Sequence, residues 1–313
     1  MGAIEDNIKQ QILEVTGFRE GALPFRTFIW TEGLTPSRKS LVAWKTLCKP
    51  RAKGGYNLTD LNRWNTVTML KLLWDLRKKI DCLWVTWMHS YFIKGKDLMQ
   101  MNGPSTPSWI SKGILKARHD TMEIQARWDK SLLDKKFTMG EIYRGLLHLE
   151  PNVDWHILLD RNIARPQAVF CLWIACHQRL AMKVRLRKFG VALDVNCYFC
   201  SDEESIEHMF FDCKSIQYIW KSILQWLRIE RTPQQWHIEK AWITRYCSGK
   251  GKKCGIMKLA LAETIYFCWK YRNDTCFGQS YDSNTFVNSI KDIIIHEGWY
   301  TRKYRDYIAQ LLL

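Results

Sequence analysis

Cys197-Tyr-Phe-Cys200-Ser-Asp-Glu-Glu-Ser-Ile-Glu-His208-Met-Phe-Phe-Asp-Cys213 constrains this chain more than any other stretch. Its spacing is C-x2-C-x7-H-x4-C. A CxxC on a tight turn lets two thiolates share one ion at about 2.3 Å, and a His and a Cys five positions apart can reach the same ion. Three thiolates and a neutral imidazole close a tetrahedral shell and leave no open position for water. The expectation is one structural Zn²⁺ held by Cys197, Cys200, His208 and Cys213. The alternative is two buried cysteines, a surface histidine and a cysteine packed on a helix. With 11 cysteines in the chain a CxxC alone says little. The added His and Cys at knuckle-like separation carry the argument. Asp202, Glu203, Glu204 and Glu207 read as a solvated loop, since zinc prefers the sulfurs.

Outside that segment the pattern is helical. Asp60 is a plausible N-cap for a helix carrying Leu61, Trp64, Val67, Leu73, Trp74 and Leu76 on one face. Trp84, Trp87, Met88 and Tyr91 follow at helical spacing and read as core. Further helices are expected over 167–178, from Ile216 to Leu227 behind a capping Ser215, and around 257–272 and 285–312. Residues 1–26 read as a short polar helix and a turn, and 27–59 as short strands and loops. The fold class is therefore mainly α: helical, bundle-like regions, a small zinc-stapled Cys/His segment, and few short strands near the N-terminus.

The formal charge of +16 favours a polyanionic partner, because cationic surfaces attract phosphate backbones irrespective of base sequence. Arg179, Lys183, Arg185, Arg187 and Lys188 crowd one stretch with no acid among them, and Lys250, Lys252 and Lys253 lie in a basic linker over 245–258. These eight are the expected phosphate contacts. Tyr198 and Phe199, between the first two cysteines, either stack on unpaired bases or pack against an adjacent helix. The partner expected is RNA or DNA, with low sequence specificity.

An enzyme is not expected. The chain has no adjacent Asp pair, GxSxG, HExxH or dinucleotide fingerprint. His177 beside Cys171 and Cys176 sits in an apolar helical stretch and reads as core. The longest apolar runs are too short for a bilayer, which needs about 20 residues, and the polar N-terminus has no signal-peptide core. An intracellular protein, nuclear or cytoplasmic, is the expectation.

Taken together, these segments resemble the reverse transcriptases of plant LINE-type non-LTR retrotransposons. The match over 42–76 comprises Val42, Trp44, Cys48, Pro50-Arg51, Gly54-Gly55, Asp60-Leu61, Trp64-Asn65 and Lys71–Trp74. LWVTWMHSYFIKG (83–95) is similar to the run that follows. Residues 137–222 resemble the reverse-transcriptase zinc-binding domain through Tyr143, Trp155, Pro166, Leu172-Trp173, Leu180, Leu186, the Cys/His set, EHMFFDC and Trp220. AETIYFCWKYRND (262–274) resembles the tail beyond it. The polymerase palm and its metal-binding aspartates have no counterpart here. GFREGALPFR (17–26) resembles the end of the polymerase region and runs straight into TFIWTEG (27–33), which resembles a segment well beyond it.

The resemblance implies a remnant of the polymerase end over 1–26, a helical post-polymerase region over 27–119, a linker over 120–136, the zinc-binding domain over 137–230, and a basic linker with C-terminal helices over 231–313. It implies a non-catalytic, zinc-binding, nucleic-acid-binding fragment of a retrotransposon reverse transcriptase. Other retrotransposon proteins are further possible partners. The alternatives are a protein-interaction module and a degenerate product without function.

Overall fold

The computed structural model describes residues 41–101, 109–147, 150–190, 194–279 and 282–313. The polar helix expected over 1–26 and the strand expected at TFIW lie outside the described residues. Contacts divide the described residues into two compact units, Cys48–Asn152 and a second formed by residues 41–47 with Val153–Leu313.

In the unit of residues 48–152, the stretch read as strand and loop up to residue 59 is a 3₁₀ turn, Arg51–Lys53, closed by Gly54 at φ 79°. Gly55 follows with its amide on the Pro50 carbonyl at 3.0 Å. A Cβ on Gly55 would lie 1.8 Å from the Lys49 carbonyl oxygen, so only glycine fits. Helix α1 (Leu61–Lys78) starts where expected, with the Asp60 carboxylate accepting from the Asn62 amide at 3.0 Å. Its face of Val67, Leu70, Leu73, Trp74 and Leu76 is buried, whereas Leu61 and Trp64, expected on the same face, stand exposed on the first turn, ahead of the packed stretch.

Helix α2 (Leu83–Trp87) runs into a π-turn over Met88–Ile93. Here the expected core stripe divides. Val85, Met88 and Ile93 are buried, whereas Trp87 and Tyr91 are exposed and Trp84 is partly covered. Trp87 precedes the π-turn and its exposure owes nothing to it; the wider turn changes the register only beyond Met88, where Tyr91 faces outward and Ile93 inward. Helices α3 (Trp109–Glu123), α4 (Gln125–Leu133) and α5 (Met139–Gly145) complete the unit. Residues 120–136, read as a linker, are thus largely helical. Trp128 is buried at their centre, with Phe137 edge-on to it at 6.4 Å. Ile124 is buried in the same core and Leu132 packs against it, so a few apolar anchors fix a segment whose polar composition hides them.

The second unit is built round α11 (Lys252–Cys276), buried on nearly every side between Gly255 and Cys268. A helix apolar all round belongs in a core. Against it pack α6 (Pro166–Cys176), α9 (Lys214–Trp226), α10 (Trp236–Tyr246) and α12 (Ser283–Tyr300). The short helices α7 (Lys183–Arg187) and α8 (Ile206–Met209) lie in the chain between α6 and α9. The basic linker expected over 245–258 shrinks to the turn between α10 and α11. The single helix expected over 285–312 breaks after Tyr300, and α13 (Arg305–Leu312) folds back. Close approach makes that return possible: a Cβ on Gly298 would meet Ile308 at 2.6 Å, and one on Gly255 would meet the Tyr304 hydroxyl at 2.3 Å.

Three glutamates with fully buried side chains are each matched by an arginine: Glu263 by Arg165, Glu239 by Arg231, and Glu204 by Arg272. Among the described residues no strand forms, and the lone antiparallel bridge joins Asn196 to Glu203. No described helix is long and apolar enough to cross a membrane.

Candidate metal centre

That bridge shapes the site. The Glu204 amide donates to the Val195 carbonyl and the Cys197 amide to the Asp202 carbonyl, each at 2.7 Å, which folds 195–204 into a tight knuckle. The Phe199 amide points at Cys197 Sγ at 3.4 Å. Beyond the knuckle, Ser205 caps α8, its hydroxyl accepting from the His208 amide at 3.1 Å. The Cys213 amide returns to the His208 carbonyl at 2.7 Å, and Phe211 turns the chain at φ 77°. Cys213 itself, rather than Ser215, occupies the N-cap of α9. Ordinary local structure thus brings all four expected ligands together.

The ligand atoms of Cys197, Cys200, His208 and Cys213 all lie within 4.8 Å of one another. Cys200 Sγ is 3.1 Å from His208 Nε2 and 4.0 Å from Cys213 Sγ. A tetrahedral zinc site with about 2.3 Å bonds has edges of about 3.8 Å, so the spacing and the donor chemistry both fit Zn²⁺. The other ring nitrogen, Nδ1, faces carboxylates: Asp202 at 3.8 Å and Asp212 at 4.0 Å. Carboxylates behind a ligating imidazole orient it and favour the tautomer that presents Nε2. The Cys197 thiol is pushed down to about 5, chiefly because Cys213 donates a hydrogen bond to it. Cys213, holding that proton, is pushed up for the same reason. Cys200 is pushed up by partial burial and by the charge on Cys197.

Glu204 departs from the solvated-loop reading. Its carboxylate is fully buried and takes Arg272 Nε at 3.2 and 3.1 Å and Nη2 at 2.6 Å, plus the Lys183 amide at 2.9 Å. It ties the knuckle to α11 and to the start of α7. Nothing local signals this, because its partner lies 68 residues away. Glu207 is also engaged, accepting from the His237 amide at 2.9 Å. Asp202 and Glu203 are exposed.

The expected nucleic-acid contacts divide by surroundings. Arg179, Arg187 and Lys188 are exposed. Arg185 is partly covered and donates to the Arg179 carbonyl at 2.7 Å. Lys183 is paired with Asp194 at 2.7 Å, its ammonium 3.8 Å from the centre of the Tyr198 ring. On the turn before α11, Lys250 and Lys253 are exposed, and Lys252 pairs with Asp306 at 2.7 Å. Phe199 packs on Tyr271 of α11 at 4.6 Å between centroids. Tyr198 also lies 5.1 Å from the Arg272 guanidinium, and its hydroxyl meets Cys276 Sγ at 3.0 Å. Cys171 and Cys176 are buried in α6, and desolvation pushes both thiols up to about 12.

Residues 137–220 match the family model described as zinc-binding in reverse transcriptase. The matched segment contains all four ligands of the cluster. It is therefore similar to the zinc-binding region of reverse transcriptases. No curated protein and no solved structure matches the chain.

Proposed function

We propose that this protein is a non-catalytic, zinc-stabilised nucleic-acid-binding module derived from a LINE-type retrotransposon reverse transcriptase. The Cys197/Cys200/His208/Cys213 cluster, within a segment matching reverse-transcriptase zinc-binding regions, carries the reading. One Zn²⁺ completes the closed four-ligand shell, so its role is to hold the 194–213 fold. The ligands that surround it leave no vacancy for a reacting water. The knuckle and α8 fix the border of the cationic 179–188 stretch, where Arg179, Arg187 and Lys188 stand exposed to meet phosphates.

The test combines metal, binding and activity. Native mass spectrometry should find one zinc per chain, lost in Cys200→Ser. Gel shifts with RNA and DNA should weaken as salt rises. If about five phosphates are neutralised, log K falls against log[salt] with a slope of about −3 to −5. Primer extension with Mg²⁺ or Mn²⁺ should give no product. A metal-free chain in reducing buffer, salt-insensitive binding, or template-dependent extension overturns the corresponding part of the reading.

A further inference from the structure

A groove of about 410 Å³ lies between α7 with its flanking turns and the start of α8. Its apolar lining is Leu180, Met182, Val184 and Ile206. Arg179, Arg185 and Lys188 also line it, as does Phe189, a residue 64% exposed. The lining thus combines three cations, an apolar surface and an aromatic ring left largely in water. Its one carboxylate, Glu207, is already occupied by His237. The Arg185 guanidinium is fixed by the Arg179 carbonyl and sits 5.4 Å from the Phe189 ring centre. Burial and the like charge of Arg179 disfavour the Arg185 cation. An anion seated between the two guanidiniums would relieve that repulsion.

The size matters. Small-molecule sites begin at about 300 Å³, so this groove has room for one nucleotide. A base reaches an apolar lining only when it is unpaired, and aromatic rings bind unpaired bases by stacking. Arginines suit the flanking phosphates because their planar forks match phosphate oxygens. Inside the knuckle Phe199 packs on Tyr271, and Tyr198 is held through its hydroxyl on Cys276, whereas Phe189 touches Arg185 and still keeps most of its surface in water. Phe189 remains as the exposed ring next to the cations.

We propose that this groove binds one unpaired nucleotide of a single-stranded nucleic acid, with Phe189 stacking on the base and Arg179, Arg185 and Lys188 holding the adjacent phosphates. The proposal rests on the nucleic-acid reading above and specifies its ligand as single-stranded. Ser205, Ile206 and Glu207 line one side of the groove and immediately precede the ligand His208. The zinc site therefore sets the position of that side.

The test uses the full zinc-loaded chain and fluorescence anisotropy with three probes at about 50 mM salt. These are a single-stranded oligouridine, a duplex of the same length, and an oligoglutamate of the same charge. Phe189→Ala should weaken oligouridine binding about 10- to 100-fold and leave duplex binding within about twofold. Phe189→Trp should restore it. Arg185→Glu should weaken both nucleic acids alike, because phosphate contacts carry no strand preference. Phe189 is exposed, so its variants should keep the parent's zinc content and helicity.

If the parent binds neither nucleic acid, the functional reading fails and the groove assignment with it. If the parent binds both and Phe189→Ala changes nothing, or weakens both equally, the groove assignment alone fails. Tighter binding of oligoglutamate than of oligouridine also overturns it, in favour of an acidic protein partner.

Discussion

Replacing Glu204 with alanine should be among the most damaging single changes in the 153–313 unit. The carboxylate is fully buried and the Arg272 side chain is 7% exposed. Removing one partner of a buried pair leaves an uncompensated charge, at a cost of about 3–5 kcal/mol. The Lys183 amide loses its acceptor too, and an unsatisfied buried donor costs about 1–3 kcal/mol. These two contributions share one side chain and do not add fully, so about 4 kcal/mol is expected. A domain has about 5–15 kcal/mol in total, so the variant should fold but with a thin margin. With a urea m-value of about 2 kcal/mol/M, the midpoint falls by about 2 M.

Glu204→Gln keeps an oxygen for the Lys183 amide but removes the charge opposite Arg272 and offers one acceptor where two are used, so its loss should come close to that of the alanine variant. A paired Glu204→Met, Arg272→Met variant removes both charges, and should be more stable than the sum of the single losses predicts. Both units contain tryptophans, so the assay is hydrogen exchange read by mass spectrometry, which reports α6 and α11 separately from α1. Faster exchange confined to the 153–313 unit is the expected result. A loss below about 1 kcal/mol for Glu204→Ala, or a paired variant no better than the summed singles, would refute the argument that this ion pair fastens the knuckle to α11.

Two tryptophans give a matched contrast. Trp236 is fully buried, yet its Nε1 finds no acceptor, whereas Trp220 Nε1 donates to the buried Glu239 at 3.2 Å. Trp220→Phe should therefore destabilise more than Trp236→Phe by about 1–2 kcal/mol in urea unfolding, and equal losses would contradict this. The second prediction concerns alkaline pH. Cys171 and Cys176 ionise at about 12 when folded against 9.0 for a free thiol, so the unfolded chain loses these protons first. Their contribution is intact below pH 9 and is lost as pH rises from there to 12. Unfolding in reducing buffer should therefore grow easier across that window, and less so in Cys171→Ala. Identical pH profiles for parent and variant would count against it.

The Cys197, Cys200, His208 and Cys213 cluster was legible in the sequence because its geometry is local. A CxxC turn, an Nε2 facing inward from a one-turn helix and a cysteine at the next N-cap all form within a few residues of backbone, and spacing alone encodes them. Helix α1 was legible for the same reason, since its periodicity and the Asp60 cap act over single turns. The 120–136 segment was not legible, because the few residues that pack it, Ile124, Trp128 and Leu132, are widely spaced among polar neighbours. Nor was the outward placement of Trp87 and Tyr91, because periodicity defines the faces of a helix and not which of them its neighbours cover. Glu204 could not be placed either. Acids beside a metal site read as solvated until an arginine 68 positions later arrives through the packing of α11. The sequence by itself determined which atoms can meet across a few bonds of backbone. Only the tertiary structure decided which charges are buried, because desolvation depends on neighbours that the chain brings from far away.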